Sequence, residues 1–107
     1  MLERKRYLYV GFMCHQVIEK IFKGYCYSIS NMTPPYTHNL VKLAKEGGFY
    51  GDFNDEQKDF IDILEPLNVE ARYPSYKEAL LRDLNEERCE WIVKQTEEMY
   101  KWIRARF

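Results

Sequence analysis

Apolar residues recur along the chain at helical spacing, and nowhere do they alternate as a half-buried strand requires. Between Arg6 and Tyr27, Val10, Met13 or Cys14, Val17, Ile21 and Tyr25 return turn after turn. Leu8, Phe12, Ile18 and Phe22 widen that stripe to most of the circumference. A helix apolar on so many sides belongs at the centre of a bundle, or between a bundle and a partner. Its polar residues are therefore informative. Gln16, Glu19, Lys20 and Lys23 stand at i, i+3, i+4 and i+7, one face along ~10 Å of helix.

The run from Ser28 to Met32 predicts fraying, and Pro34 and Pro35 then force an extended connection. A short second helix is predicted from His38 to Glu46, with Thr37 as N-cap and Gly47-Gly48 as its stop. Leu40, Val41, Leu43 and Ala44 supply its apolar face. A third helix begins after Asn54, an N-cap followed by Asp55 and Glu56, where the helix dipole favours negative charge. Phe60, Ile61, Ile63, Leu64 and Leu67 carry its period; Pro66 predicts a kink or an end, and the reading adopted has helix resuming to about Ala71. Arg72-Tyr73-Pro74 closes this segment, and residues 75–84 predict a connection with one helical turn from Glu78 to Arg82.

The last helix runs from its cap Asn85 to about Ala105, opening with Glu86 and Glu87. Cys89, Ile92, Val93, Thr96, Met99, Tyr100 and Ile103 form one stripe, while Trp91 and Trp102 share a second face with Gln95 and Glu98. The fold class is all-α: an up-and-down bundle of about four helices in a single domain, residues 1–107.

Composition narrows the function. Charged residues at 31% beside 46% hydrophobic ones exclude a disordered chain. A net charge of −1 excludes a general electrostatic grip on polyanions, which needs a basic excess, and leaves room only for a local basic patch. Cys14, Cys26 and Cys89 are odd in number and match no zinc or redox spacing, so they read as buried thiols of a reducing compartment. The charged start, Met1 to Arg6, leads into no signal-type apolar run, and no stretch approaches the ~20 apolar residues that span a bilayer. The expected location is the cytoplasm, with no membrane partner.

Taken together, four motifs resemble the HEPN (higher eukaryotes and prokaryotes nucleotide-binding) domain family. They are Gln16-x-x-Glu19-Lys20-x-x-Lys23, then Thr37-His38-Asn39-Leu40, then Arg72-Tyr73-Pro74, and the amphipathic last helix ending Trp102-Ile103. The resemblance covers about residues 7–103. It implies a helical bundle that commonly forms homodimers, engages nucleotide or RNA, and frequently pairs with a minimal nucleotidyltransferase encoded beside it. Many members of that family are ribonuclease toxins with an Arg followed by His after four to six residues. That motif is absent here: neither His15 nor His38 has an arginine at the required distance before it. The family also usually has a helix before the first one seen here. Either the chain begins late or another subunit supplies the missing cover, because the uncovered helix would expose several hundred Å² of apolar surface. The expected core is therefore completed by dimerisation.

Each candidate side chain carries two readings. Lys20 and Lys23 can contact phosphate with Gln16 on a base or ribose, or Glu19 and Lys23 can form a plain i,i+4 pair on a solvated face. His38 can stack on a base or move a proton, or it can bond a turn backbone. His15 and Cys14 point about 100° apart on a helix, which excludes a catalytic pair, and they make no metal site. Arg72 offers a bidentate fork for phosphate, or it can play a structural part, bonding the last carbonyls of the third helix or stacking on a tyrosine. Beside it, Tyr73, like Tyr36, Tyr50 and Tyr76, can stack on a base or simply pack. Lys101, Arg104 and Arg106 suit the end of the helix dipole. No phosphate loop, nucleophile elbow or paired-carboxylate signature appears, so neither a complete catalytic site nor a cofactor is expected.

The expected function is a non-catalytic nucleotide- or RNA-binding subunit, acting with a nucleotidyltransferase partner in a toxin–antitoxin pair. The expected site is Gln16, Lys20, Lys23 and Arg72, with Glu19, His38 and Tyr73 as accessories. Alternatives are a divergent ribonuclease toxin using His38, and an interaction module that takes no ligand.

Overall fold

The computed structural model describes residues 2–30, 37–67 and 85–107, and among these there are four α-helices and no strand. Several expectations lie outside the described residues: the Pro34-Pro35 connection, the resumed helix to Ala71, Arg72-Tyr73-Pro74 and the turn at Glu78 to Arg82, as does the side chain of Leu8.

The first helix, α1, spans Leu2–Ser30 and outruns the hydrophobic pattern at both ends. As far as Ser30 the expected fraying does not occur, and Asn31 and Met32 lie outside the described residues. The Ser28 hydroxyl donates to the Tyr25 carbonyl at 2.7 Å and the Ser30 hydroxyl to Cys26 at 2.9 Å, so both serines turn back onto the helix instead of competing with it. The inward stripe also lies slightly round from the predicted one. Cys14, Ile18, Phe22 and Cys26 are buried, whereas Met13 and Val17 remain 43% and 40% exposed. A close approach at Gly11 helps fix that rotation: a Cβ there would stand 2.8 Å from Cδ1 of buried Leu67.

Helix α2 spans Leu40–Glu46, two residues shorter than expected at its start. Its N-cap is Asn39, whose side chain accepts from the Lys42 amide at 3.0 Å; Thr37 instead accepts from the Asn39 amide at 3.1 Å. His38 therefore precedes the helix. Gly47 ends α2, and Gly48 follows with φ +76°, a left-handed conformation that favours glycine. A 3-10 turn at Tyr50–Asp52 leads to α3, Asp55–Leu64. Asn54 and Gln57 close a reciprocal capping box at its start, at 2.8 and 2.9 Å. At Pro66 the α-helix gives way to a 3-10 turn, Glu65–Leu67. The last helix, α4, spans Glu86–Arg104, with Asn85 capping the Arg88 amide at 2.7 Å.

Helices α1 and α4 lie side by side and run in the same direction. Cys89 near the start of α4 reaches the Tyr7 carbonyl near the start of α1, while Phe107 beyond its end stacks on Tyr25 near the end of α1, ring centres 5.6 Å apart. The second face of α4 packs on α3 and its approach. Trp91 meets Phe60 edge-on at 6.0 Å, Gln95 donates to Glu56 at 3.0 Å, and Trp102 lies 5.3 Å from Phe53. Phe22, Phe49 and Phe53 fill the space between. All three cysteines are buried and unpaired, and burial pushes their thiols above the ordinary range, as expected for inert core residues.

Arg106 departs from its expected part. Beyond α4, its guanidinium lies 4.8 Å over Trp102 and donates to Asp52 at 2.7 Å, so it ties the chain end to the 3-10 turn. Replacing Arg106 with alanine removes a partly exposed ion pair and a cation–π contact together. A loss of about 1 kcal/mol is expected in urea unfolding, and Asp52→Asn, which spares the stacking, is expected to cost less than half of that.

Candidate functional site

The four polar residues of α1 do not share one solvated face. Their strip straddles the boundary of the core, because a helix turns 100° per residue and the strip is about that wide. Lys20 stands exposed on one edge, Gln16 and Lys23 are half-buried, and Glu19 on the other edge is buried. The expected i,i+4 pair forms, with Lys23 Nζ 3.0 Å from Glu19 Oε2. Its carboxylate is inside the protein, however, and it holds more than one partner.

Across the helix interface, His38 Nδ1 lies 2.8 Å from Glu19 Oε1. One turn back on α1, His15 is fully buried with Nδ1 3.6 Å from the same oxygen, and neither ring nitrogen has a hydrogen-bond partner within the described protein. On the far side of His15, Glu65 Oε2 stands 4.0 Å from its Nε2. Glu65 turns its other oxygen to the start of α2, accepting from the amides of Leu40 and, at 3.3 Å, Val41. Two histidines, two glutamates and a lysine thus converge where α1, the start of α2 and the end of α3 meet.

Local chemistry explains how each side chain is placed. His15, Glu19 and Lys23 are one turn apart on α1 and so lie one above the other. His38 sits in the extended lead to α2, and Asn39 capping leaves its side chain directed at α1. Glu65 occupies a helix C-terminus, where the dipole disfavours a carboxylate, and it is held there by the orphan amides at the start of α2. An acid placed against its own helix dipole was the one signal in the sequence that could have revealed it. Burial by itself raises the Glu19 carboxyl, but hydrogen bonds from His38 and Lys23 and their positive charge outweigh it and hold Glu19 below the usual carboxylate range.

The arrangement can orient a proton. An ionised carboxylate only accepts, so His38 donates through Nδ1, and in the neutral ring Nε2 is then an acceptor. The His38 side chain is 56% exposed, which places an oriented imidazole at the surface beside the Lys23 ammonium. Among the described residues no group of three His, Cys, Asp or Glu is arranged to hold a metal ion. Of the residues expected to form a site, Glu19, Lys23 and His38 come together; Lys20 faces solvent on the same helix; Arg72 and Tyr73 lie outside the described residues. Tyr50 is accounted for by packing, edge-on to Phe53 at 5.7 Å with Lys45 and Lys58 over its ring.

The Glu19–His38 pair joins the first two of the four motifs in space. The family profile of the HEPN domain matches residues 1–106. The chain belongs to the HEPN domain family. That membership gives the helical bundle its family and associates the chain with nucleotide- or RNA-related function. No curated protein and no solved structure matches the chain significantly. In this HEPN protein, Glu19 and Lys23 of α1 and the histidine before α2 are one structural unit. No helix among the described residues is long and apolar enough to cross a membrane.

Proposed function

We propose that this HEPN protein is a non-catalytic subunit that binds a nucleotide or an RNA segment. It works as a homodimer beside a minimal nucleotidyltransferase in the cytoplasm, as one half of a toxin–antitoxin pair. The observation that carries the binding reading is the buried Glu19 carboxylate, which holds the exposed His38 and the half-buried Lys23 at one place on the surface. Because Glu19 neutralises much of Lys23, phosphate capture falls mainly on exposed Lys20 and on Arg72, with Lys23 as a hydrogen-bond donor and His38, Gln16 and Tyr73 toward the base. Modest net charge then makes the binding local and ligand-sized.

Calorimetry with ATP, other nucleotides and short RNA tests this directly. The full chain is expected to bind at least one of them, weakening as salt rises. The Lys20→Ala, Lys23→Ala, Arg72→Ala variant is expected to keep its helical circular dichroism and lose binding by at least ~tenfold. No heat from the unmutated protein with any of these ligands overturns the reading. Co-purification of a small nucleotidyltransferase with the tagged chain from its own host tests the partner.

The oriented imidazole favours one second reading, a divergent ribonuclease in which His38 moves the proton and an arginine arrives from elsewhere in the assembly. Under that reading induced expression degrades RNA and slows growth, and His38→Ala relieves both.

A further inference from the structure

The apolar surface of α1 that the bundle leaves uncovered does not stand alone. Val10 of α1 and Val93 of α4 line one shallow open groove along the seam between these two parallel helices, with Arg6, Glu90, Lys94 and Glu97 around it. Helical spacing continues the same strip on both sides: Met13 and Val17 lie one and two turns beyond Val10, and Tyr100 lies two turns beyond Val93. Val93 and Tyr100 are 37% and 40% exposed, much as Met13 and Val17 are.

The charge along α4 is polarised. Its first turn carries Glu86 and Glu87, its last Lys101 and Arg104, and the exposed apolar residues sit between. Such a surface is complementary to itself when two copies of the helix cross in opposite directions, which is what a two-fold axis perpendicular to the helix imposes. The acidic start of each α4 then meets the basic end of the other, Lys94 comes near Glu97 at the centre, and the valines, Met13 and Tyr100 close over one another. Phosphate-bearing ligands are disfavoured on this face, because Glu86, Glu90 and Glu97 repel them.

We infer that the α1–α4 seam of one chain docks on the same seam of a second copy, with the two α4 helices antiparallel. This rests on the homodimer named above and adds which face forms it and in what orientation. The His38 cluster belongs to the α1–α2 junction, outside this contact, so each copy keeps its own.

Sedimentation velocity on the full chain at micromolar concentration gives the test. A dimer is expected for the unmutated protein. Val17→Glu with Tyr100→Glu is expected to sediment as a monomer with unchanged helical circular dichroism. Reversing the start of α4, Glu86→Lys with Glu90→Lys, is expected to weaken the dimer at least ~tenfold, and adding Lys101→Glu with Arg104→Glu is expected to restore it. A dimer indifferent to all these changes overturns the seam and leaves the homodimer standing. A dimer broken by the reversal and not restored by the second overturns the antiparallel orientation. A monomeric unmutated protein overturns both the seam and the homodimer.

Discussion

Phe49→Ala is expected to lower the unfolding free energy by about 3–5 kcal/mol, the largest effect of any single truncation proposed for this chain. Phe49 is fully buried although it lies in a connection and belongs to no helix. Its ring meets Phe22 at 4.9 Å and Tyr25 at 5.3 Å, both edge-on, Phe53 at 5.8 Å and Trp102 at 6.3 Å. It thereby joins the end of α1, the approach to α3 and the end of α4. Truncation leaves a cavity that these rings cannot collapse into without breaking their mutual geometry. For a domain of this size the loss is a large fraction of total stability, of the order of 5–15 kcal/mol, and lowers Tm by roughly 12 °C or more. Tyr27→Ala provides the comparison: Tyr27 is 55% exposed, and a change within ~0.5 kcal/mol is expected. Thermal and urea unfolding of the two variants check this. Equal losses would mean that Phe49 does not organise the core.

The second large effect is at Glu19. Glu19→Ala removes the acceptor for both Lys23 and His38, two charge-assisted bonds formed at a buried oxygen pair. A loss of about 2–3 kcal/mol is expected, less than for a fully buried pair because both partners can return to water. The sign of the pH dependence follows from the lowered Glu19 pKa. A carboxyl whose folded value is depressed binds its proton more readily in the unfolded chain. Its stabilisation is therefore present above the unfolded value, about 4.3, and is lost as pH falls through the folded one. Urea unfolding between neutral pH and about pH 3 is expected to show a steeper acid loss for the unmutated protein than for Glu19→Gln. Parallel pH curves would show that Glu19 is not ionised in the native state or is not linked to folding.

The helices themselves could be read along the chain because they are local. Asn54 followed by Asp55 and Glu56, Asn85 followed by Glu86 and Glu87, and Gly47-Gly48 after an apolar run each act within one turn, and each marks a real helix end. Competition between neighbouring caps was less legible. Thr37 and Asn39 can both cap, and the choice fell to Asn39, which leaves His38 in an extended segment where its ring reaches Glu19. Ser28 and Ser30 were misleading for a related reason: a hydroxyl near a helix end can bond out of the helix or back into it, and here it bonds back.

Periodicity alone determined that this chain is helical, that α1 is apolar nearly all round, and that Gln16, Glu19, Lys20 and Lys23 lie within one ~100° sector. Tertiary packing decided where the core boundary cuts that sector, burying Glu19 and leaving Lys20 in water. It also brought Glu65, from the end of α3, to the amides of α2, and seated Arg106 on Trp102. A helix's sequence states which residues share a face. Only the neighbouring elements state how much of that face is dry, and a carboxylate's chemistry depends on that.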